Sequence, residues 1–93
     1  MFDRVLNRVR DSVRQRRYIM TYHARREMLH DDLTIYDIER GILTGNIIER
    51  QKDRTTGEWK YRIAGKAIEG GEVEVAAKLN PNGKLVIITV YAR

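Results

Sequence analysis

Gly41-Ile42-Leu43-Thr44-Gly45-Asn46-Ile47-Ile48-Glu49-Arg50-Gln51-Lys52 is the stretch in which the repeat of apolar residues changes, and the fold class follows from that change. Ahead of it, Ile35, Ile38, Ile42 and Leu43 recur at the spacing of one helix face. Gly45 is read as the stop of that helix. From Asn46 onward the period is two, the spacing of a strand with one buried face.

Three more segments follow the same rule. Asn46 to Lys52, Glu58 to Ala64, Glu72 to Leu79 and Lys84 to Tyr91 read as four strands. They are separated by residues 53–57, by Gly65 to Gly71 and by Asn80-Pro81-Asn82-Gly83. Connections this short imply an antiparallel meander. Trp59, Tyr61 and Ile63 alternate with Lys60 and Arg62, as in a half-buried strand. Leu85-Val86-Ile87-Ile88-Thr89-Val90-Tyr91 is apolar on both faces and reads as a central strand. Alternation predicts Val86, Ile88 and Val90 on one of its faces and Thr89 and Tyr91 on the other.

Upstream of the strands the chain reads as helical. Phe2, Val5, Leu6, Val9 and Val13 form an apolar stripe opposite Arg4, Arg8, Asp11 and Arg14, which predicts a basic amphipathic helix over residues 2–15. Arg16 would fall in that stripe, so the helix ends there. Arg17 to Thr21 reads as a connector or a short extended piece. Thr34 with Asp37 resembles a capping arrangement for the third helix. Between these lies a short helix, Tyr22 to Asp31, with His23, Arg26, Glu27 and His30 on a titratable side and Tyr22, Met28 and Leu29 on a side expected to pack. Helices followed by a sheet predict an α+β fold, with N-terminal helices packed on one face of a four-stranded antiparallel sheet, in a single domain over residues 1–93.

Composition narrows the function classes. Of 93 residues, 42% are apolar and 33% charged, a globular balance. Cysteine is absent, which excludes thiol catalysis, disulfides and cysteine-ligated zinc. No apolar run approaches the ~18 residues that cross a bilayer, so a cytoplasmic protein without a membrane partner is expected. The formal charge is +5, but its placement matters more. Residues 1–26 carry eight arginines against Asp3 and Asp11, while the remainder is close to neutral. A one-sided basic field suits phosphate-bearing partners or an acidic protein.

His23-Ala24, Glu27-Met28, Asp31, Leu33-Thr34, Gly45 to Glu49 and Ile87 to Tyr91 together resemble the domain of unknown function family 4258. The resemblance covers residues 20–91. That family is similar to the small RelE-like ribonuclease toxins of the barnase, EndoU, colicin and RelE fold group. The resemblance therefore implies a RelE-like fold and a metal-independent endoribonuclease that acts on RNA under the control of an antitoxin protein. Many members carry arginine where this chain has Glu27 and Asp31, so it resembles an acidic subgroup, which speaks against phosphate binding at those two positions.

A ribonuclease of this kind must deprotonate a 2′-hydroxyl, stabilise charge on the phosphorane and protonate the leaving 5′-oxygen. His23 is the candidate base or acid, and Glu27, one turn on, would orient it or transfer the second proton. Thr89 and Tyr91, also at motif positions, complete the catalytic set. Arg26, Lys60 and Arg62 are candidates for holding phosphate oxygens. Each has a plainer reading: Lys60 and Arg62 as the wet side of a strand, Thr89 as a strand former, Tyr91 as cover for the core. His23, Glu27 and His30 also stand a turn apart, but not at zincin spacing, and no metal site or small-molecule cofactor is assigned. The competing function is a non-catalytic nucleic-acid- or protein-binding module on the same fold.

Overall fold

The computed structural model describes residues 2–93. The chain runs α1 (Asp3–Arg14), β1 (Tyr18–Met20), α2 (Tyr22–His30), α3 (Ile35–Thr44), β2 (Asn46–Lys52), β3 (Trp59–Lys66), β4 (Glu72–Leu79) and β5 (Leu85–Ala92). It is an α+β fold, as the change of period implied, and β2 to β5 form the expected antiparallel meander.

The sheet itself corrects the expectation of four antiparallel strands. Tyr18–Met20, within the segment read as a connector or short extended piece, is extended and joins the sheet as a fifth strand that pairs parallel with β5, from Tyr18↔Leu85 to Met20↔Ile87. The sheet is mixed, in the order β1-β5-β4-β3-β2. β5 is thus an interior strand, as its apolar run suggested. Three residues are too few to display a period, and what places them is the need of β5's outer backbone groups for partners.

A bulge changes the faces of β5. Ala77 pairs with Ile87 and Ala76 with Thr89, which leaves Ile88 as an extra residue. Val90 therefore returns to the face of Leu85 and Ile87, and all three are buried. The expected grouping of Val90 with Val86 and Ile88 is wrong for that reason. Thr89 and Tyr91 do share the opposite face, opposite Ala76 and Glu74.

The core lies between that sheet and the helices. Val9 and Val13 of α1, Ala24 of α2, and Ile38 and Ile42 of α3 meet Ile63, Val73, Val75, Leu85, Ile87 and Val90. The α1 stripe packs as read, with Leu6, Val9 and Val13 buried. Ser12 Oγ donates to the Gly83 carbonyl at 2.9 Å and Arg10 to the Gly45 carbonyl at 2.8 Å, which anchor the helix to the β4–β5 turn and to the end of α3. The expected packing side of α2 is corrected: Ala24 and Met28 reach the core, whereas Tyr22 and Leu29 are exposed.

Helix ends follow side-chain and backbone chemistry. Arg16, with φ of 55°, closes α1, and Asp32, with φ of 59°, closes α2. In each case the following amide bonds back into the last turn, Arg17 to the Ser12 carbonyl and Leu33 to the Met28 carbonyl, both at 2.8 Å, the pattern of a left-handed helix stop. Thr34 and Asp37 form a reciprocal capping box at the start of α3.

α3 lies close against β3 and β4 because Gly41, Gly45 and Gly65 allow it. Gly65, assigned from sequence to the hairpin connection, belongs to β3. A Cβ there would collide with the Gly41 carbonyl, and one on Gly45 would come within 2.5 Å of the Ala64 carbonyl oxygen. Gly65→Ala should therefore cost roughly 1–3 kcal/mol through forced separation of helix and strand. Gly71 has nothing within 4 Å of a built Cβ and no positive φ, so Gly71→Ala should be neutral or stabilising by about 0.4–1 kcal/mol. Thermal melts of the two variants check this, and equal behaviour would refute the close-approach argument.

Candidate functional site

α2 is held against the outer edge of β5 by the side chains at its two ends. Thr21 Oγ1 accepts the Ala24 amide at 3.1 Å as the N-cap and donates to the carbonyl of the bulged Ile88 at 3.0 Å. At the other end Asp31 Oδ2 accepts the Ala92 amide at 2.9 Å. Nine helical residues rise about 13 Å, and the strand from Ile88 to Ala92 covers a similar distance. Helix and strand are thus matched in length. The Ala92 amide, with His30 beside it, holds the Asp31 carboxyl below the usual carboxylate range.

This docking fixes the titratable side of α2. His23, Arg26, Glu27 and His30 line an open cleft of about 390 Å³. His23 Nε2 stands 3.2 Å from Glu27 Oε1, and His30 Nδ1 stands 3.2 Å from Asp31 Oδ1. The ring of His23 is 63% exposed and the Glu27 side chain 34%, so an incoming molecule reaches both. Arg26 lies over the Tyr22 ring at 5.9 Å. Four of the residues singled out from sequence are therefore neighbours on one surface.

Tyr91, Arg62 and Thr89 belong to a different cluster, on the sheet face away from the core. Its centre is Glu74, which sequence reasoning passed over. Glu74 is only 2% exposed. Arg62 reaches it from β3, with Nε at 2.8 Å and Nη2 at 2.6 Å from Oε2, and also pairs with Glu49 at 3.0 Å. The Tyr91 hydroxyl donates to the same carboxylate oxygen, and Arg93 Nε lies 3.7 Å from the other. Burial pushes the Glu74 carboxyl up, but the Tyr91 hydrogen bond and the Arg62 guanidinium outweigh it and leave the group below its usual range. The same hydrogen bond pushes the Tyr91 hydroxyl up. The signal was present in Glu72-Val73-Glu74-Val75: a charge on an apolar strand, across the sheet from Arg62 and Tyr91.

Thr89 sits opposite Ala76, in the row beside Arg62. Lys60 is on the same face of β3 as Arg62 but is not joined to this network. Among the described residues no hydrogen bond or ion pair links the His23–Glu27 pair to Thr89, Tyr91, Lys60 or Arg62, so the predicted site residues fall into two groups. No three histidine, aspartate or glutamate side chains among the described residues are grouped to hold a metal ion, and no helix is long and apolar enough to cross a membrane.

Fold and site define a small helix-on-sheet protein with a histidine cleft at a strand edge. Residues 20–92 match the family model described as Domain of unknown function (DUF4258), and the chain belongs to that family. No curated protein and no solved structure matches the chain.

Arg62→Leu should cost roughly 2–3 kcal/mol, because it strands a buried carboxylate. The double variant Arg62→Leu/Glu74→Leu should recover more than half of that loss, since a buried pair and its apolar replacement differ little. Glu74's lowered folded pKa means that its contribution is complete above the ordinary carboxylate pKa of ~4.3 and is lost as pH falls through the lowered value. Urea unfolding at several pH values should accordingly show the wild type losing stability in acid more steeply than the double variant. A double variant as unstable as Arg62→Leu would sink this account.

Proposed function

We propose that this protein is a metal-independent, RelE-like endoribonuclease whose active centre is the α2 cleft. The observation that carries the reading is the convergence of His23, Glu27, Arg26 and His30 on one open surface, with His23 Nε2 3.2 Å from a carboxylate. Glu27 orients the His23 imidazole, which takes the proton of a ribose 2′-hydroxyl as that oxygen attacks the adjacent phosphorus. Arg26 stabilises the charge on the phosphorane. His30, held by Asp31, returns a proton to the departing 5′-oxygen, and the product is a cyclic phosphate. Thr89 and Tyr91 on β5, with Lys60 and Arg62 on β3, extend the substrate surface along the sheet.

Control by an antitoxin, and a cytoplasmic setting in which RNA is at hand, belong to the same proposal. Ile19, Tyr22 and Leu29, exposed apolar side chains of β1 and α2, support a protein partner near the cleft. One observation favours the non-catalytic alternative: Arg62 is neutralised by Glu49 and Glu74 and so has little charge to offer a phosphate.

Purified protein should cleave single-stranded RNA in the presence of EDTA, leave a 2′,3′-cyclic phosphate, and spare 2′-O-methyl RNA and DNA of the same sequence. His23→Gln should lower the rate by roughly 10²–10⁴-fold with an unchanged melting temperature. RNA that is bound but never cut would leave the binding module as the function. Cutting abolished by EDTA alone would replace this mechanism with a metal-assisted one.

A further inference from the structure

The N-terminal arginines and the start of β3 meet at a second groove, of about 280 Å³, lined among others by Val5, Arg8, Trp59, Tyr61 and Pro81. Trp59 is the only tryptophan of the chain and is 40% exposed. Its ring is already a cation platform: the Arg50 guanidinium lies 4.1 Å from the ring centroid and the Lys52 ammonium 5.8 Å. Arg50 also reaches Phe2 at 5.8 Å, and Phe2 meets Tyr61 edge-on at 6.3 Å. These contacts fix the indole in place.

The charges around it have no carboxylate partner. Arg8, Arg50 and Lys52 form no ion pair among the described residues. The one carboxylate lining the groove, Glu58, is held by Lys78 at 3.0 Å and does not oppose an incoming anion at full strength. A part-exposed indole, with cations that have no carboxylate partner on two sides, suits a single nucleic-acid strand: a base stacks on the ring, taking the place of the Arg50 guanidinium, and positive charge meets the phosphates on either side of it. An acidic protein would use the cations but would have no use for the stacking surface.

We propose that this groove binds single-stranded RNA, with one base stacked on Trp59 and the flanking phosphates held by Arg8 and Lys52. The choice of RNA rests on the ribonuclease reading, but binding here does not depend on cleavage in the α2 cleft.

The single tryptophan makes the test direct. Titration of His23→Gln protein with a short 2′-O-methyl oligouridine should quench Trp59 emission saturably. Arg8→Gln and Lys52→Gln, both at exposed positions, should each weaken binding and reduce the slope of log K against log salt by about one. Followed by anisotropy of a labelled strand, Trp59→Leu should bind roughly 5- to 150-fold more weakly, and Trp59→Phe should lose less. Unchanged emission at saturation would overturn the proposal, as would full affinity in Arg8→Gln and Lys52→Gln. Equal quenching by an oligoglutamate peptide would do so too, by assigning the surface to an acidic protein. Binding lost with cleavage intact removes the groove alone, whereas cleavage lost with binding intact removes only the ribonuclease reading.

Discussion

The outer edge of β5 is the constraint from which the arrangement follows. β4 satisfies one edge of that strand along its length, but on the other side β1 pairs with it only as far as Ile87. Beyond that point the backbone would be left without partners. The chain solves this with a helix in place of a strand: the Thr21 hydroxyl takes up the Ile88 carbonyl and the Asp31 carboxylate takes up the Ala92 amide. A helix donates no free backbone groups along its middle, so only its end residues can serve the strand. α2 must therefore lie along β5 with its N-terminus at the bulge. That one placement puts Ala24 in the core and turns His23, Glu27 and His30 outward into a cleft.

The elements with a long repeat were legible from the residues alone. The α1 stripe, the Thr34–Asp37 cap and β2 and β4 all appear where periodicity and capping chemistry put them. What escaped are features that periodicity does not encode. Tyr18–Met20 can be read as extended, but three residues are too few to show that they pair with β5. The bulge at Ile88 shifts the side-chain phase by one residue, so an alternation drawn through it assigns Val90 to the wrong face. Gly65 has the look of loop punctuation in the sequence, yet its role is steric and depends on Gly41, distant in sequence.

The candidate site was legible in part, for a related reason. His23, Arg26, Glu27 and His30 are local on one helix, and helical geometry alone brings them together. Tyr91, Arg62 and Glu74 come from three strands, and their meeting depends on register, which the sequence does not state. Once that register is fixed, Arg62 has two carboxylates in reach, and its charge is largely used within the fold. Cations without a carboxylate partner lie elsewhere, among them Arg26 in the cleft and Arg8, Arg50 and Lys52 around Trp59. The placement of charge located the basic N-terminal stretch, residues 1–26, but only the pairing pattern separates cations that stabilise the sheet from cations that remain for a partner.

Glu27 and Asp31 have a physical reason in the same contacts. Asp31 accepts a backbone amide of β5 and an imidazole nitrogen at once. An arginine has five donors and no acceptor, so at this position it would leave the Ala92 amide unmatched and would repel a protonated His30. Glu27 likewise faces His23 as an acceptor at 3.2 Å, where a guanidinium would face one ring donor with another. The carboxylates thus belong to the scaffold that orients two histidines, not to a phosphate contact. With arginine at both positions, α2 would need another acceptor for the Ala92 amide and another group beside His23.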